Sequence, residues 1–332
     1  MRPVSNWDWC RRAEGCSRRC CCSLISTHIL EPSYYSDEPD AHLEILRQRQ
    51  IYQILTQTAE AQDCQVIAAS HSEVLLNEAA DRDIVVAFVG KPHRIDDHRS
   101  QVLKSLRAIG FDQYYQAEQV GWVLYLEGST DLAVLQAFAK LLDHPGKEVL
   151  EQPFVHYVAN LPAKAKDHFF GLREAKPDLV GIALFDSIPQ ELDENGPLCE
   201  LKWKQREIEN YLCYPETLLA CAEQVDGAPG PLFESELRSR QRRAMQEAMD
   251  EVVAALKTLS RPDPFGPDVK ASDDFLAPVF QKYFEKLEIR NLMLKTDYHA
   301  LAYLVPRDLI DSEIVEKLDH IVEVASRAKP VT

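Results

Sequence analysis

Trp122-Val-Leu-Tyr-Leu-Glu127-Gly128-Ser-Thr-Asp131 is the stretch on which the fold turns. Val123–Leu126 is a short, bulky apolar run, the signature of a buried strand. Glu127 and Gly128 end it, and Asp131 opens a helical pattern, Leu132-Ala-Val-Leu-Gln-Ala-Phe-Ala-Lys-Leu-Leu142. A strand that ends on a carboxylate, turns at glycine and starts a helix exposes an acid at the C-terminal edge of a parallel sheet. Asp131 also stands where a helix N-terminus favours a negative charge. The same residues read equally well as an ordinary strand–turn–helix with a capping Asp.

A second acid-tipped strand tilts that balance. Asp178-Leu-Val-Gly-Ile-Ala-Leu-Phe-Asp186 is almost continuously apolar up to Asp186. Between the two lie a helix (131–143), a strand-like run Phe154-Val-His-Tyr-Val-Ala159 and a helix (163–175). The order β-α-β-α-β predicts an α/β fold around a parallel sheet. In such a sheet the strand tips converge on one edge, so Glu127, Asp131 and Asp186 are expected to be neighbours. Clustered carboxylates repel one another, and a hard cation such as Mg²⁺ relieves the repulsion.

With these residues in view, the chain resembles the TOPRIM domain of topoisomerases and primases and, more closely, the OLD family of ATP-dependent nucleases. That family's first motif is a Glu-Gly turn after a strand, matched by Glu127-Gly128. An Asp four residues after the Glu is common in it, matched by Asp131. Its second motif is a strand ending Asp-x-Asp. Asp186 matches the first acid, and Ile188 stands in place of the second. OLD-type proteins also carry an Arg-Glu-Ile-Glu-Asn-Tyr segment beside the site, similar to Arg206-Glu207-Ile-Glu209-Asn-Tyr211. Glu207 and Glu209 share a face on a strand and diverge on a helix. Either one of them supplies the carboxylate that Ile188 does not, or the pair is a solvated helix start. The resemblance further implies a lysine near the metal site, and Lys295 is the candidate. It would stabilise charge on the scissile phosphate; a surface lysine on an amphipathic helix is the alternative.

Upstream, Asp37-Glu38-Pro39 and Asp40-Ala-His42-Leu43 resemble the Walker B segment of ABC-type ATPases. In those proteins the first acid helps hold Mg²⁺ and the next polarises water. The preceding Glu31–Ser36 lacks the usual aliphatic strand. A helix is predicted from Leu43 to about Ala61, with Leu43, Leu46, Ile51, Ile54 and Leu55 on one face. Gln65–Ser70 reads as a strand leading to His71, which resembles the switch histidine that senses the γ-phosphate. Ile84–Val89 is one more predicted strand. No G-x-x-x-x-G-K-[ST] loop occurs in the sequence; Gly90-Lys91 runs into Pro92. Without that loop there is no backbone cradle and no lysine for the phosphates. Residues 31–118 therefore read as the C-terminal part of an ATPase domain, with ATP expected only in intact relatives or with a completed domain. Such a part keeps a structural or dimer-forming role.

Downstream, residues 232–290 read as a charged helical insertion broken at Arg261–Pro267. It contains Arg238, Arg240, Arg242 and Arg243, the densest basic cluster in the chain. These arginines read as phosphate contacts or as a solvated face. Ile310–Ala325 is an acidic amphipathic helix with Ile314, Leu318, Ile321 and Val324 on one side. Residues 119–231 and 291–332 together make the TOPRIM part.

The net charge of −16 argues against coating nucleic acid through the overall field, while leaving room for a metal site and a local basic strip. No apolar run approaches the ~20 residues of a membrane span, so no membrane partner is expected. Five of the nine cysteines crowd residues 10–22, without paired C-x-x-C spacing. The remainder fit reduced cysteines of a cytoplasmic protein. Residues 1–30 show no sustained period and no signal-peptide core, and read as a non-native or poorly ordered leader, with a metal or redox segment as the alternative.

Three functions follow. The first is a Mg²⁺- or Mn²⁺-dependent endonuclease acting on DNA, held by Glu127, Asp131, Asp186 and Glu209, with phage defence as the family's usual setting. The second is a catalytically degenerate binding or assembly module. The third is a primase-like or nucleotide-processing enzyme.

Overall fold

The structure, a computed structural model, describes residues 33–80, 82–88, 92–94, 109–224 and 231–331. The expected leader (1–30) and Gly90-Lys91 lie outside the described residues. The chain divides into two compact units, residues 1–112 and 113–332.

In the first unit, strand β1 (Ser33–Asp37) pairs in parallel with β2 (Gln65–Ala69), in register from Ser33↔Gln65 to Asp37↔Ala69. The expectation of a damaged strand before Asp37 is corrected here. Ladder hydrogen bonds need only main-chain groups, so Ser-Tyr-Tyr-Ser serves without aliphatic residues. Helix α1 (Ile45–Gln62) connects the strands. Its covered face centres on Tyr52, whose hydroxyl donates to Asp83 at 2.8 Å. Leu46 and Ile54, expected on the inner face, are exposed. Helix α2 (Glu73–Ala79) is capped by Ser72, whose Oγ accepts from the Leu75 N–H. The expected strand 84–89 is reduced to β3 (Val86–Ala87), antiparallel to β4 (His93–Arg94).

The second unit begins inside helix α3 (Phe111–Val120). It holds a four-stranded, wholly parallel sheet: β5 (Trp122–Leu126), β6 (Val155–Tyr157), β7 (Val180–Phe185) and β8 (Leu198–Lys202). The order is β6-β5-β7-β8, with β5 and β7 central. Both central strands are buried along nearly their whole length, as their apolar runs require. Successive side chains serve opposite faces. Trp122, Leu124 and Leu126 join the main core with Val134, Leu135 and Phe138 of α4 (Ser129–Leu141). On the other face Tyr125 meets His168, and Gly181 lies under Phe169, both on α5 (Pro162–Arg173).

The rest is helical. Helix α6 (Pro215–Glu223) precedes the long α7 (Pro231–Thr258). The loop expected at 261–267 does separate α7 from a π-helical turn, Ala271–Leu276, which leads into α8 (Ala277–Lys286). Residues 295–304 form a run of 3-10 turns, and α9 (Ser312–Ser326) buries Ile314, Leu318, Ile321 and Val324 against the sheet side of the core. Beyond α9 the chain returns to the start of β5. The Val331 N–H donates to the Glu118 carbonyl at 2.9 Å, and Lys176 Nζ donates to the Lys329 carbonyl at 3.1 Å. Gly121, at φ +76°, lies so close that an added Cβ would sit 2.8 Å from the Lys329 and Pro330 backbone. Among the described residues no helix is long and apolar enough to cross a membrane.

Candidate functional site

Three strand ends build the rim. Glu127 follows β5, Asn160 follows β6 after a short turn, and Asp186 follows β7. Because β5 is flanked by β6 and β7, parallel pairing brings these three positions side by side. Asn160 is the hub. Its Nδ2 donates to Glu127 Oε2 and to Asp186 Oδ2, the latter at 2.9 Å, and its Oδ1 accepts from the Asp186 N–H at 2.9 Å. Ala159 and Asn160 have φ of 50° and 56°. That left-handed turn suits Asn better than most residues, and it swings the amide between the acids. Sequence reasoning missed Asn160. The only available signal was an Asn immediately past a predicted strand, at the edge where acids were expected.

Asp131 serves the turn from within. Its Oδ2 accepts from the Glu127 N–H at 3.0 Å and the Gly128 N–H at 3.4 Å, which fixes the Glu127 backbone at the start of α4. Burial, then the charge of Glu127, pushes the Asp131 carboxyl up to about 6. Asp186 is pushed much further up, by burial first and then by its contact with Glu127. A proton held on Asp186 lowers the repulsion from Glu127.

The Glu207–Tyr211 segment supplies two more acids. Glu207 precedes a 3-10 turn, Ile208–Leu212, and both Glu207 and Glu209 are buried. Their burial corrects the reading of the pair as a solvated helix start. Glu207 accepts from the Ser272 N–H and so ties down the π turn. Glu209 lies within the field of Asp131, and burial, Glu207 and Asp131 push it up to about 8. Lys295 opposes that shift. The 3-10 run that begins at Lys295 packs along α4 and against the Ile208–Leu212 turn. Its ammonium is 3.5 Å from Asp273 Oδ1. The run of 3-10 turns replaces the amphipathic helix that was one reading of Lys295.

Among the described residues, no group of three or more His, Cys, Asp or Glu side chains stands in metal-ligating geometry. The donor chemistry at Glu127 and Asp186 nonetheless suits a hard divalent ion. Two carboxylates meet on the Asn160 amide, burial and then the contact with Glu127 raise Asp186, and a cation would take the place of the proton on Asp186. The Ile188 side of the loop is engaged otherwise: Lys202 Nζ donates to the Ile188 carbonyl at 2.8 Å.

The other candidates lie elsewhere. Glu38 and His71 line one cavity of about 500 Å³ in the first unit, with Asp40, His42 and Gln48. Asp40 accepts from Ser70 Oγ at 2.7 Å, while Asp37 is exposed at the end of β1. Arg238, Arg240, Arg242 and Arg243 are exposed on α7, and Arg242 donates to Glu223 of α6. No family model matches the chain, and no curated protein matches it.

Proposed function

We propose that the chain hydrolyses phosphodiester bonds of DNA with the help of a divalent cation, in the manner of the OLD-type nucleases it resembles. The observation that carries the reading is the meeting of Glu127 and Asp186 on Asn160 at the carboxyl edge of a parallel sheet. That edge is where α/β folds bind their ligands. Glu127 and Asp186 would hold Mg²⁺ or Mn²⁺, with Asp131 behind them and the buried Glu209 beside it. When bound, such an ion neutralises phosphate charge and lowers the pKa of a bound water. Asn160 keeps the two carboxylates at a fixed separation. Asp131 holds the Glu127 turn against α4. Lys295, whose charge reaches Glu209, suits a phosphate oxygen that gains charge during cleavage. DNA is the partner and Mg²⁺ or Mn²⁺ the cofactor in this reading. Dimerisation through the first unit, and ATP use only with a completed ATPase domain, belong to the same proposal.

A plasmid-nicking assay with Mg²⁺ or Mn²⁺ tests it. The wild type should nick, chelation should stop it, and Glu127→Gln should lower the rate by at least ~100-fold. A folded wild type that leaves plasmid intact with either metal overturns the proposal. The second reading, a binding or assembly module with a degenerate site, is favoured by Ile188. It also draws support from the way the Asn160 amide donates to both acids without a cation.

A further inference from the structure

Lys270 stands just ahead of the π turn, and its Nζ reaches Asp273 Oδ2 at 2.5 Å. Lys295 reaches the other oxygen, Oδ1, at 3.5 Å. One carboxylate therefore joins two ammonium groups delivered by separate segments. Both lysine side chains are 48% exposed and Asp273 is 50% exposed, so the trio is open to a solute.

The main chain around Lys270 is fixed. The Val269 carbonyl accepts from Asn210 Nδ2 at 3.0 Å, and the Ser272 N–H donates to Glu207. The Arg206 N–H donates to the Pro267 carbonyl at 2.7 Å. These bonds hold Lys270 against the segment that carries Glu209. Its ammonium lies in the fields of Glu207 and Glu127. A π-helical turn in such a place is a frequent companion of functional residues. An Asp added to a rim already crowded with acids increases the repulsion, yet here it sits between two cations. A backbone phosphate carries the same single charge and presents two oxygens in the same way.

We propose that Lys270 and Lys295 form a cradle for a backbone phosphate of a nucleic-acid strand beside the acid pair, with Asp273 as the resident counter-ion that the phosphate displaces. The inference rests on the reading of the acid rim as a phosphodiester site and adds to it where the strand lies. Lys270 and Lys295 bind the strand, and Asp273 competes with it for their ammonium groups.

The test is binding of a fluorescent single-stranded oligonucleotide to the full chain in EDTA at low salt, read by anisotropy. Lys270→Gln should weaken binding roughly three- to tenfold and lower the salt slope by about 0.7, the loss of one phosphate contact. Asp273→Asn, nearly isosteric, should tighten binding severalfold, and the double variant should lose that gain. Lys282→Gln controls for net charge, because Lys282 pairs instead with Glu251 on α7. A wild type that does not bind, an Asp273→Asn chain that binds no tighter, or a Lys282→Gln chain weakened as much as Lys270→Gln each overturns the cradle. No cleavage is needed for this readout. Tighter binding by Asp273→Asn with no metal-dependent nicking sinks the nuclease and leaves the cradle. Glu127-dependent nicking with unchanged Asp273→Asn binding does the reverse.

Discussion

Asn160 and Asp186 exchange two hydrogen bonds, side-chain amide to carboxylate and main-chain N–H to amide oxygen, each at 2.9 Å. The exchange locks the tip of β6 to the tip of β7 across the intervening β5, and Glu127 of β5 is caught by the same amide. Asn160 therefore has two separable duties: its φ of 56° and its hydrogen bonds. Asn160→Gly should keep the backbone and lose the amide, at a cost of about 1–2 kcal/mol. Asn160→Ala should cost about 1 kcal/mol more, from left-handed strain. Urea denaturation of the two variants checks the order, and equal stabilities would show that the turn is not strained.

Metal binding should appear as stability before it appears as activity. Mg²⁺ that replaces the proton on Asp186 should raise the melting temperature. At about 100 times its dissociation constant the gain is ~2.7 kcal/mol. Asp186→Asn should remove the Mg²⁺ response. It should also stabilise the metal-free chain, since it deletes one of two repelling acids while its amide oxygen can still accept from Asn160. Thermal melts with Mg²⁺ and with EDTA decide this, and a response that survives in Asp186→Asn places the ion elsewhere.

The histidine pair on the opposite face of the sheet predicts acid sensitivity. His156 stacks on His168 with centroids 3.8 Å apart, and Tyr125 donates to or accepts from His168 at 2.7 Å. Burial holds His156 below its ordinary value of 6.5. The folded ring thus stays neutral where the unfolded chain already binds a proton. Stability is full above about pH 6.5 and falls as pH drops toward the lower folded value. His156→Phe keeps the stacking surface and should flatten that fall. Melting temperatures between about pH 7.5 and pH 5 measure it, and an unchanged slope assigns the acid loss to other groups.

Gly181 is a packing requirement. A Cβ there would lie 2.9 Å from the Phe169 ring and 3.1 Å from Leu198. Strand β7 is paired on both sides and cannot shift to make room. Gly181→Ala should cost about 1–3 kcal/mol, and adding Phe169→Leu should recover part of it. Guanidinium denaturation of the single and double variants checks the coupling, and strict additivity argues against the clash.

Much of this architecture could be read before any coordinates. Trp122–Leu126 and Val180–Phe185 are legible because strands buried on both faces need continuous apolar side chains. Helix α9 is legible because Ile314, Leu318, Ile321 and Val324 keep helical spacing. Strand β8 was not legible. Leu-Cys-Glu-Leu-Lys places Glu200 at 1% exposure, and only the fold reveals that Lys166 reaches it at 3.0 Å. The acids at the strand tips followed from topology, but Asn160 and Lys270 did not. Their meaning depends on neighbours distant in sequence: Asp186 for one, Asp273 and the Glu207 anchor for the other. In the first unit the helical period of α1 pointed to Leu46 and Ile54, whereas the buried position went to Tyr52 with its hydrogen bond to Asp83.

The packing of residues 329–331 on Gly121 has a consequence for biogenesis. On a translating ribosome the sheet can be threaded early, yet the seam beside Glu118 and Lys176 stays open until those three residues leave the exit tunnel. An alanine at position 121 would crowd that seam, so a Gly121→Ala chain should be cut by protease near Lys329 more readily than the wild type.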